Sequence, residues 1–293
     1  MVERPPVRRR VRVPPAERVR ERVRASAGPA AANLLPVGYQ RLGRVLLLRL
    51  PEALRPHFSR IGRAWQEELG VESVLTVVGP VEGELRTPRV ETIAGGTTGT
   101  EVVEHGVRWR FDAARVMFAA GNRRERQRAG RLVAPGEHVV DLFAGIGYFA
   151  IPAALSGPAT RVVAVEKNPV AVRYLRENVE LNRVGSQIEV VEGDNRVVPL
   201  VTGAADRVFL GYLPSALPWI PRAVSLLRAS GGFLHVHTVA DSRSARADGS
   251  RAVELALREA DARLLEPLSA REVKPYGPGR THVVVDVRVA PPG

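Results

Sequence analysis

The sequence has no cysteine, and only two of its 293 residues, Lys167 and Lys274, are lysine. Without cysteine there is no disulfide framework and no thiolate site for zinc or iron–sulfur. No apolar run approaches the ~18 residues of a membrane span. No apolar segment follows the N-terminal charges, so a secretory signal is not expected. Glu3, Glu17 and Glu21 argue against a transit peptide. These absences leave a cytoplasmic protein with no membrane or metal partner as the expectation.

What is abundant is arginine. The 43 basic residues outnumber 31 acidic ones, for a net charge of +12. Preferring arginine over lysine fits a GC-rich genome, but a surplus over acids does not follow from that. The surplus points to an acidic partner, nucleic acid first. Half of it, +6, lies in residues 1–33. Pro5, Pro6, Pro14 and Pro15 punctuate that stretch and large apolar residues are scarce. Residues 1–36 therefore read as a basic arm, disordered or loosely helical.

Order begins near Val37. Residues 45–50 read as a strand. Pro51 then opens a helix in which Leu54, Phe58, Ile61, Trp65 and Leu69 recur at helical spacing up to Gly70. With strands at 71–78 and 89–93, residues 37–95 make a small α/β domain. Residues 96–293 make a larger one. There, strands at 137–143, 161–166, 188–192, 207–213 and 233–238 alternate with helical stretches, and 283–289 closes the chain. Such alternation means a parallel sheet covered on both faces.

The segment Asp141-Leu142-Phe143-Ala144-Gly145-Ile146-Gly147-Tyr148-Phe149 falls at a strand-to-helix turn. Gly145 and Gly147 suit positive φ and let a ligand lie against backbone, with the next helix aiming its N-terminus at it. With Ala150 the turn also satisfies a dinucleotide fingerprint. Glu166 ends the second strand about twenty residues on, where a carboxylate accepts both hydroxyls of a ribose. Asp194 ends the third, placed to accept from an adenine amino group. Three acids at consecutive strand ends fit one adenosine. Asp141 lies inside its strand, ahead of the glycines, and favours S-adenosylmethionine over NAD. The early acid of such a D-x-F-x-G-x-G pattern serves the amino group of a methionine moiety, either directly or by orienting the loop.

This asymmetry resembles the class I methyltransferase fold. The resemblance implies an α/β, Rossmann-like domain whose parallel sheet ends in an antiparallel strand, preceded by the small α/β domain and the basic tail. Further segments resemble a tRNA-modifying family within that class. They are the 141–149 turn, Glu166-Lys167-Asn168-Pro169, Asn178-x-x-x-Asn182, Asp194-Asn195-Arg196, and Val273-Lys274-Pro275-Tyr276 before His282-Val283-Val284-Val285-Asp286. The likeness runs from about residue 37 to 289.

The family has two branches. One methylates N1 of the guanosine 3′ of the anticodon. The other moves the 3-amino-3-carboxypropyl group of S-adenosylmethionine onto the tricyclic base made from that guanosine, during wybutosine synthesis. The methylase branch carries Ser-Pro-Arg-Leu where this chain has Ala119-Ala120-Gly121-Asn122 before Arg123-Arg124-Glu125-Arg126. It carries Asn-Leu-Pro where this chain has Leu210-Gly211-Tyr212-Leu213-Pro214-Ser215. Both places resemble the second branch. A sulfonium has three carbons open to attack, so orientation decides which one reacts.

The resemblance implies an aminocarboxypropyl transferase acting on tRNA. The alternatives are N1 methylation and a non-catalytic RNA-binding protein that keeps the fold. Catalytic candidates are Asn122, Asp194 and Pro214. Cofactor candidates are Asp141, Phe143, Gly145, Gly147, Glu166, Asp194 and Asn195. Arg123, Arg124, Arg126 and Arg128, with Arg131, are placed to hold tRNA phosphates. Tyr148, Phe149, Tyr212 and Tyr276 are candidates to stack on an unstacked base. His235 and His237 share one strand face without a third ligand, so no metal is expected. A monomer is the expected state.

Overall fold

The computed structural model describes residues 13–157 and 160–292. They divide into two compact units. The first holds the described residues through Glu101 together with Asp112–Met117, and the second holds Val102–Phe111 and the described residues from Phe118 on. The division falls at 101/102, against the expected 95/96.

The first unit begins with helix α1 (Pro15–Asn33). It continues through strands β1 (Gln40–Leu42) and β2 (Val45–Leu48), helix α2 (Phe58–Leu69), and strands β3 (Ser73–Val77) and β4 (Val90–Ala94). The sheet order is β1-β2-β3-β4, with β2 and β3 parallel and the outer pairs antiparallel. The helix expected from Pro51 is split. Glu52–His57 is a 3-10 turn containing Pro56, and α2 starts at Phe58 and stops at Gly70 with φ 59°.

Helix α1 corrects the reading of a disordered arm from Pro15 on; residues 1–12 lie outside the described residues. Pro15 sits at the first helical position, where its missing N–H costs nothing. Val19 and Val23, four apart, are fully buried in one core with Phe58, Ile61 and Trp65. Arg18 donates to Glu68 at 2.6 Å and Arg22 to Glu67 at 2.9 Å, both on α2. These arginines thus face acids of their own chain. We expect Val19→Ala and Val23→Ala each to destabilise this unit by about 2 kcal/mol in chemical denaturation. No loss would mean that α1 is not part of the core.

Strand β5 (Gly99–Glu104) spans the division at 101/102, and its hairpin partner β6 (Val107–Asp112) and α3 (Arg123–Leu132) follow. Then come β7 (His138–Asp141), α4 (Ala150–Ala154), β8 (Arg161–Glu166), α5 (Pro169–Leu181), β9 (Ile188–Glu192), β10 (Arg207–Leu210), α6 (Ile220–Leu226) and β11 (Gly232–Asp241). Helix α7 (Ala245–Glu259) and strands β12 (Arg263–Leu264), β13 (Ser269–Gly277) and β14 (Arg280–Ala290) complete the second unit. The sheet runs β12-β14-β11-β10-β7-β8-β9, with β13 also on β14. Strands β7 to β11 are parallel, and β14 returns antiparallel along β11. Val140, Leu142, Val208, Leu210, Leu234 and Val236 share a core with Ile220, Val224, Val253 and Leu257 of the helices.

Strand order reverses between β7 and β10, so a crevice for a ligand opens beyond their carboxyl ends. The hairpin is gripped by α5. Asn182 Oδ1 accepts from Arg108 N at 2.9 Å and Asn178 Oδ1 accepts from Arg110 N at 2.7 Å, imitating a strand partner. Asn178 also donates to the Ile146 carbonyl at 3.2 Å, which anchors the glycine turn. Among the described residues no helix is long and apolar enough to cross a membrane.

Candidate active site

The 141–147 turn is pinned on both sides. Leu142 N donates to Phe209 O at 3.1 Å, and Ala144 N to Val165 O at 2.9 Å. Gly145 and Gly147 have φ 57° and 103°. A Cβ on Gly145 would lie 2.6 Å from Tyr148 Cε2, and one on Gly147 would lie 2.6 Å from Ile151 Cδ1. The glycines are thus required by backbone shape and by the chain's own packing. The helix that follows is only five residues long. It therefore offers little dipole, and the binding capacity of the site rests on its carboxylates.

Asp141 is fully buried. Its Oδ1 accepts from Phe143 N at 3.2 Å, while Oδ2 is buried without a hydrogen-bond partner. Burial pushes its carboxyl up to about 7, the Glu166 charge adds to that, and the Phe143 and Ala150 amides work against it. A buried acid in this state suits a cationic ligand group, because an ammonium would restore its charge and satisfy the free oxygen.

Glu166 accepts from Gly145 N through Oε2 and from Asn168 N through Oε1, both at 2.7 Å. Burial raises its carboxyl from the ordinary value against the pull of these amides and that of Lys167. Each oxygen keeps a lone pair for a hydroxyl. Asn168 Oδ1 accepts from Val170 N at 3.0 Å and caps α5, with Pro169 at its start.

Asp194 accepts from Lys167 Nζ and from Arg196 Nε, both at 2.9 Å. The Arg196 hydrogen bonds above all, with Lys167, hold it well below the usual carboxylate range. Its oxygens act as hydrogen-bond acceptors at the β9 end. Asn195 is buried and donates to the Leu142 carbonyl at 2.6 Å. It ties the β9 end to the turn. Phe143 stacks on Tyr212 at 5.1 Å and meets Trp219 edge-on. Pro214 is exposed in the loop after β10. That loop is fixed by Ala216 N donating to His237 O at 3.0 Å.

Two of the four arginines assigned to RNA are corrected. Arg126 is buried, donates to Glu104 at 2.7 and 2.9 Å and to Ala119 O at 3.0 Å, and lies over the Phe118 ring. Arg128 donates to both Asp286 oxygens and to Glu125. Both are engaged within the fold. Arg123, Arg124 and Arg131 are exposed. Tyr148 and Phe149 are likewise packing residues, Tyr148 against Trp109 and Phe118, Phe149 against Phe209 and His237. Tyr212 and Tyr276 keep accessible surface.

His282 and Lys274 fall outside the site patterns visible in the sequence. His282 Nε2 and His237 Nδ1 are 3.0 Å apart inside the sheet, and Lys274 lies opposite His282 in the β13–β14 ladder. The only signal in the sequence was the family-like segment around Lys274.

We expect Asp141→Asn to raise apo-protein stability above pH 7 by about 2 kcal/mol, since it removes a buried carboxylate that must ionise there. The sign follows from the raised value. The folded protein holds this proton between about pH 4 and 7 while the unfolded chain releases it. The advantage of the variant therefore vanishes below pH 4. Melting curves of the two proteins across pH check this, and an equal gap at every pH would contradict it.

A parallel sheet reversing order at β7 and β10, with a glycine turn and acids on three neighbouring strands, defines an S-adenosylmethionine-dependent methyltransferase fold. The chain belongs to the TRM5/TYW2 family. The family model described as the TRM5/TYW2 methyltransferase domain matches residues 100–265, and that of the TYW2 N-terminal domain matches residues 19–98. A Pyrococcus horikoshii protein named tRNA(Phe) (4-demethylwyosine(37)-C(7)) aminocarboxypropyltransferase is 36% identical over 272 residues, 93% of this chain and 96% of that protein. The crystal structure of P. horikoshii TYW2 in complex with MeSAdo superposes with TM-score 0.80 at 32% identity, covering 94% of this chain and 99% of that one. A Methanocaldococcus jannaschii tRNA m1G37 methyltransferase structure gives TM-score 0.75 at 25% identity, covering 93% of this chain and 78% of that one.

Proposed function

We propose that this protein transfers the 3-amino-3-carboxypropyl group of S-adenosylmethionine to C7 of the tricyclic guanosine derivative 3′ of the anticodon in tRNA. The observation that carries the reading is the buried, unpartnered Asp141 oxygen beside Glu166, within a chain similar over nearly its whole length to a named aminocarboxypropyltransferase. Bound S-adenosylmethionine would supply a sulfonium whose γ-carbon bonds to C7 as the S–Cγ bond breaks, with methylthioadenosine leaving and the C7 proton passing to water. Asp141 receives the ammonium of the methionine moiety. Glu166 receives the ribose hydroxyls, and Asp194 the adenine amino group. Phe143, braced by Tyr212 and Trp219, walls the crevice. Arg123 and Arg124 hold phosphate at the mouth.

The test incubates the protein with carboxyl-labelled S-adenosylmethionine and tRNA carrying the tricyclic base or plain guanosine. Label on the tricyclic tRNA with release of methylthioadenosine is the expected result. S-adenosylhomocysteine as the product, with methyl transfer to guanosine, would place the chain in the methylase branch instead.

A further inference from the structure

A cavity of about 250 Å³ lies in the second unit, lined from the β5–β6 hairpin, α3 and the end of α4. None of its lining residues belongs to the glycine turn or to the three acids, so the proposed transfer gives it no part. Its walls are fixed by packing. A Cβ on Gly130 would lie 2.7 Å from the Pro152 carbonyl oxygen, so α3 and α4 meet closely there. Trp109, 1% exposed, is held against Phe118 and Tyr148. Pro152 and the exposed Leu155 extend this apolar wall to the rim.

Three polar side chains on the cavity keep hydrogen-bonding capacity to spare. Both Arg126 nitrogens that reach Glu104 bond the same oxygen, Oε2, at 2.9 and 2.7 Å. Glu104 Oε1 accepts from none of the described residues, although its side chain is only 11% exposed. The Gln127 amide and the Arg131 guanidinium likewise bond to none of the described residues. A fixed carboxylate oxygen accepts an N–H, an amide both donates and accepts, and a guanidinium takes phosphate. Beside an apolar slot, that set suits an unstacked nucleobase with an amino group, together with its phosphate. The size agrees: sites for drug-sized ligands hold roughly 300–1,000 Å³, and this smaller one has room for a single base.

The source of the base follows from position. Arg123, Gln127 and Arg131 recur every four residues, so they share one face of α3. Arg126 of the same helix lies 5.9 Å from the Tyr148 ring centroid, and Tyr148 packs on Gly145. Helix α3 thus passes the cofactor turn and ends at the cavity, with Arg123 and Arg131 about 12 Å apart along its axis. We propose that the cavity binds a second, amino-bearing nucleobase of the tRNA, unstacked from the anticodon loop near the target nucleotide; this rests on tRNA being the substrate. The base lies against Leu155, over Trp109 and Pro152. Glu104 Oε1 accepts from its amino group, Gln127 meets a neighbouring edge atom, and Arg131 pairs with its phosphate. Holding a second nucleotide this way keeps the loop open and the target base presented to the crevice.

Filter binding of tRNA to the full chain tests this. Leu155→Trp fills the cavity from its exposed rim and alters no charge. It is expected to weaken tRNA binding about tenfold, the cost of one lost base contact, with the salt slope unchanged. Leu155→Ala leaves the cavity open and should bind close to wild type. Arg131→Ala should weaken binding and reduce the slope by about one. S-adenosylhomocysteine affinity and melting should match wild type in all three, since none of these side chains lies at the cofactor turn. Gln127→Leu keeps the volume and removes the amide. It should weaken tRNA binding with no change in slope, and it decides the matter if Leu155→Trp melts below wild type. Transfer RNAs made abasic at one anticodon-loop position at a time identify the occupant: one position should matter to wild type and not to Leu155→Trp. Unchanged tRNA affinity in a stably folded Leu155→Trp or in Gln127→Leu, or no abasic position whose cost the filled cavity removes, would overturn the proposal. A wild-type chain binding no tRNA at all would overturn the tRNA reading itself, and this proposal with it.

Discussion

Glu166→Ala is expected to raise the dissociation constant for S-adenosylmethionine on the order of 100-fold. Two hydroxyl-to-carboxylate hydrogen bonds at about 1.5 kcal/mol each give a loss of that size. The structure adds a second contribution in the same direction. Glu166 is also the acceptor for Gly145 N and Asn168 N, so its removal loosens the glycine turn and the start of α5 together. Glu166→Asp keeps the charge but is one methylene short of one partner or the other, and should fall between. Binding of tRNA depends on cations elsewhere, so its affinity and salt slope should stay as they are. Titration calorimetry and a filter-binding series separate the two effects. Unchanged cofactor affinity in Glu166→Ala would refute the ribose assignment.

The parts of the fold legible in the sequence were those with a regular apolar period or a special backbone residue. The parallel strands showed as short apolar runs, and α2 as five large residues at helical spacing ended by Gly70. The candidate acids stood out because each lies at or just beyond a strand end. What escaped was set by partners distant in sequence. Helix α1 buries only Val19, Val23 and a few alanines, so nine nearby arginines outweighed its period, and Pro15 looked like a breaker where it is a starter. Strand β13 is polar and contains Pro275; among the described residues it pairs with β14 alone, and an edge strand tolerates proline.

The α3 arginines show the same limit on the site side. Spacing placed Arg123, Arg124, Arg126 and Arg128 on one short helix, but spacing does not say which of them meets an acid. Glu104 and Asp286 take Arg126 and Arg128, and they lie 22 and 158 residues away in the chain. Fold similarity has a parallel limit. The methylase and aminocarboxypropyltransferase relatives superpose almost equally well on this chain. The branch must therefore be read from side chains at Gly121, Asn122 and the 211–215 loop, not from topology.

Asp286→Ala should be the most damaging single change to stability. Asp286 accepts from both Arg128 terminal nitrogens at 3.0 and 3.2 Å, from Arg271, and from His235 Nδ1 at 2.6 Å. His235 Nε2 in turn accepts from Arg207 at 2.7 Å, and Arg207 clamps Glu137 at 2.7 and 2.9 Å. One carboxylate thus joins α3, β13, β14 and β11. Removing it leaves two guanidiniums and an imidazole N–H without their acceptor, a loss of about 3–5 kcal/mol, or roughly 10 °C in melting temperature. Burial works to raise Asp286, yet the hydrogen bond from His235 and the charges of His235, Arg128 and Arg271 hold it well below the ordinary range. Its contribution is therefore present above the unfolded-state value near 4 and fades as pH falls below it. His235, lowered chiefly by burial, acts in the same direction below about 6.5, because only the unfolded chain takes up its proton. Arg128→Ala should reproduce part of this loss while leaving the salt slope of tRNA binding intact. Arg123→Ala with Arg124→Ala should do the reverse, weakening tRNA binding and reducing the slope with no change in melting. At about 2–4 °C per kcal/mol for a chain of this size, a melting temperature for Asp286→Ala within about 2 °C of wild type would show that the network contributes under ~1 kcal/mol.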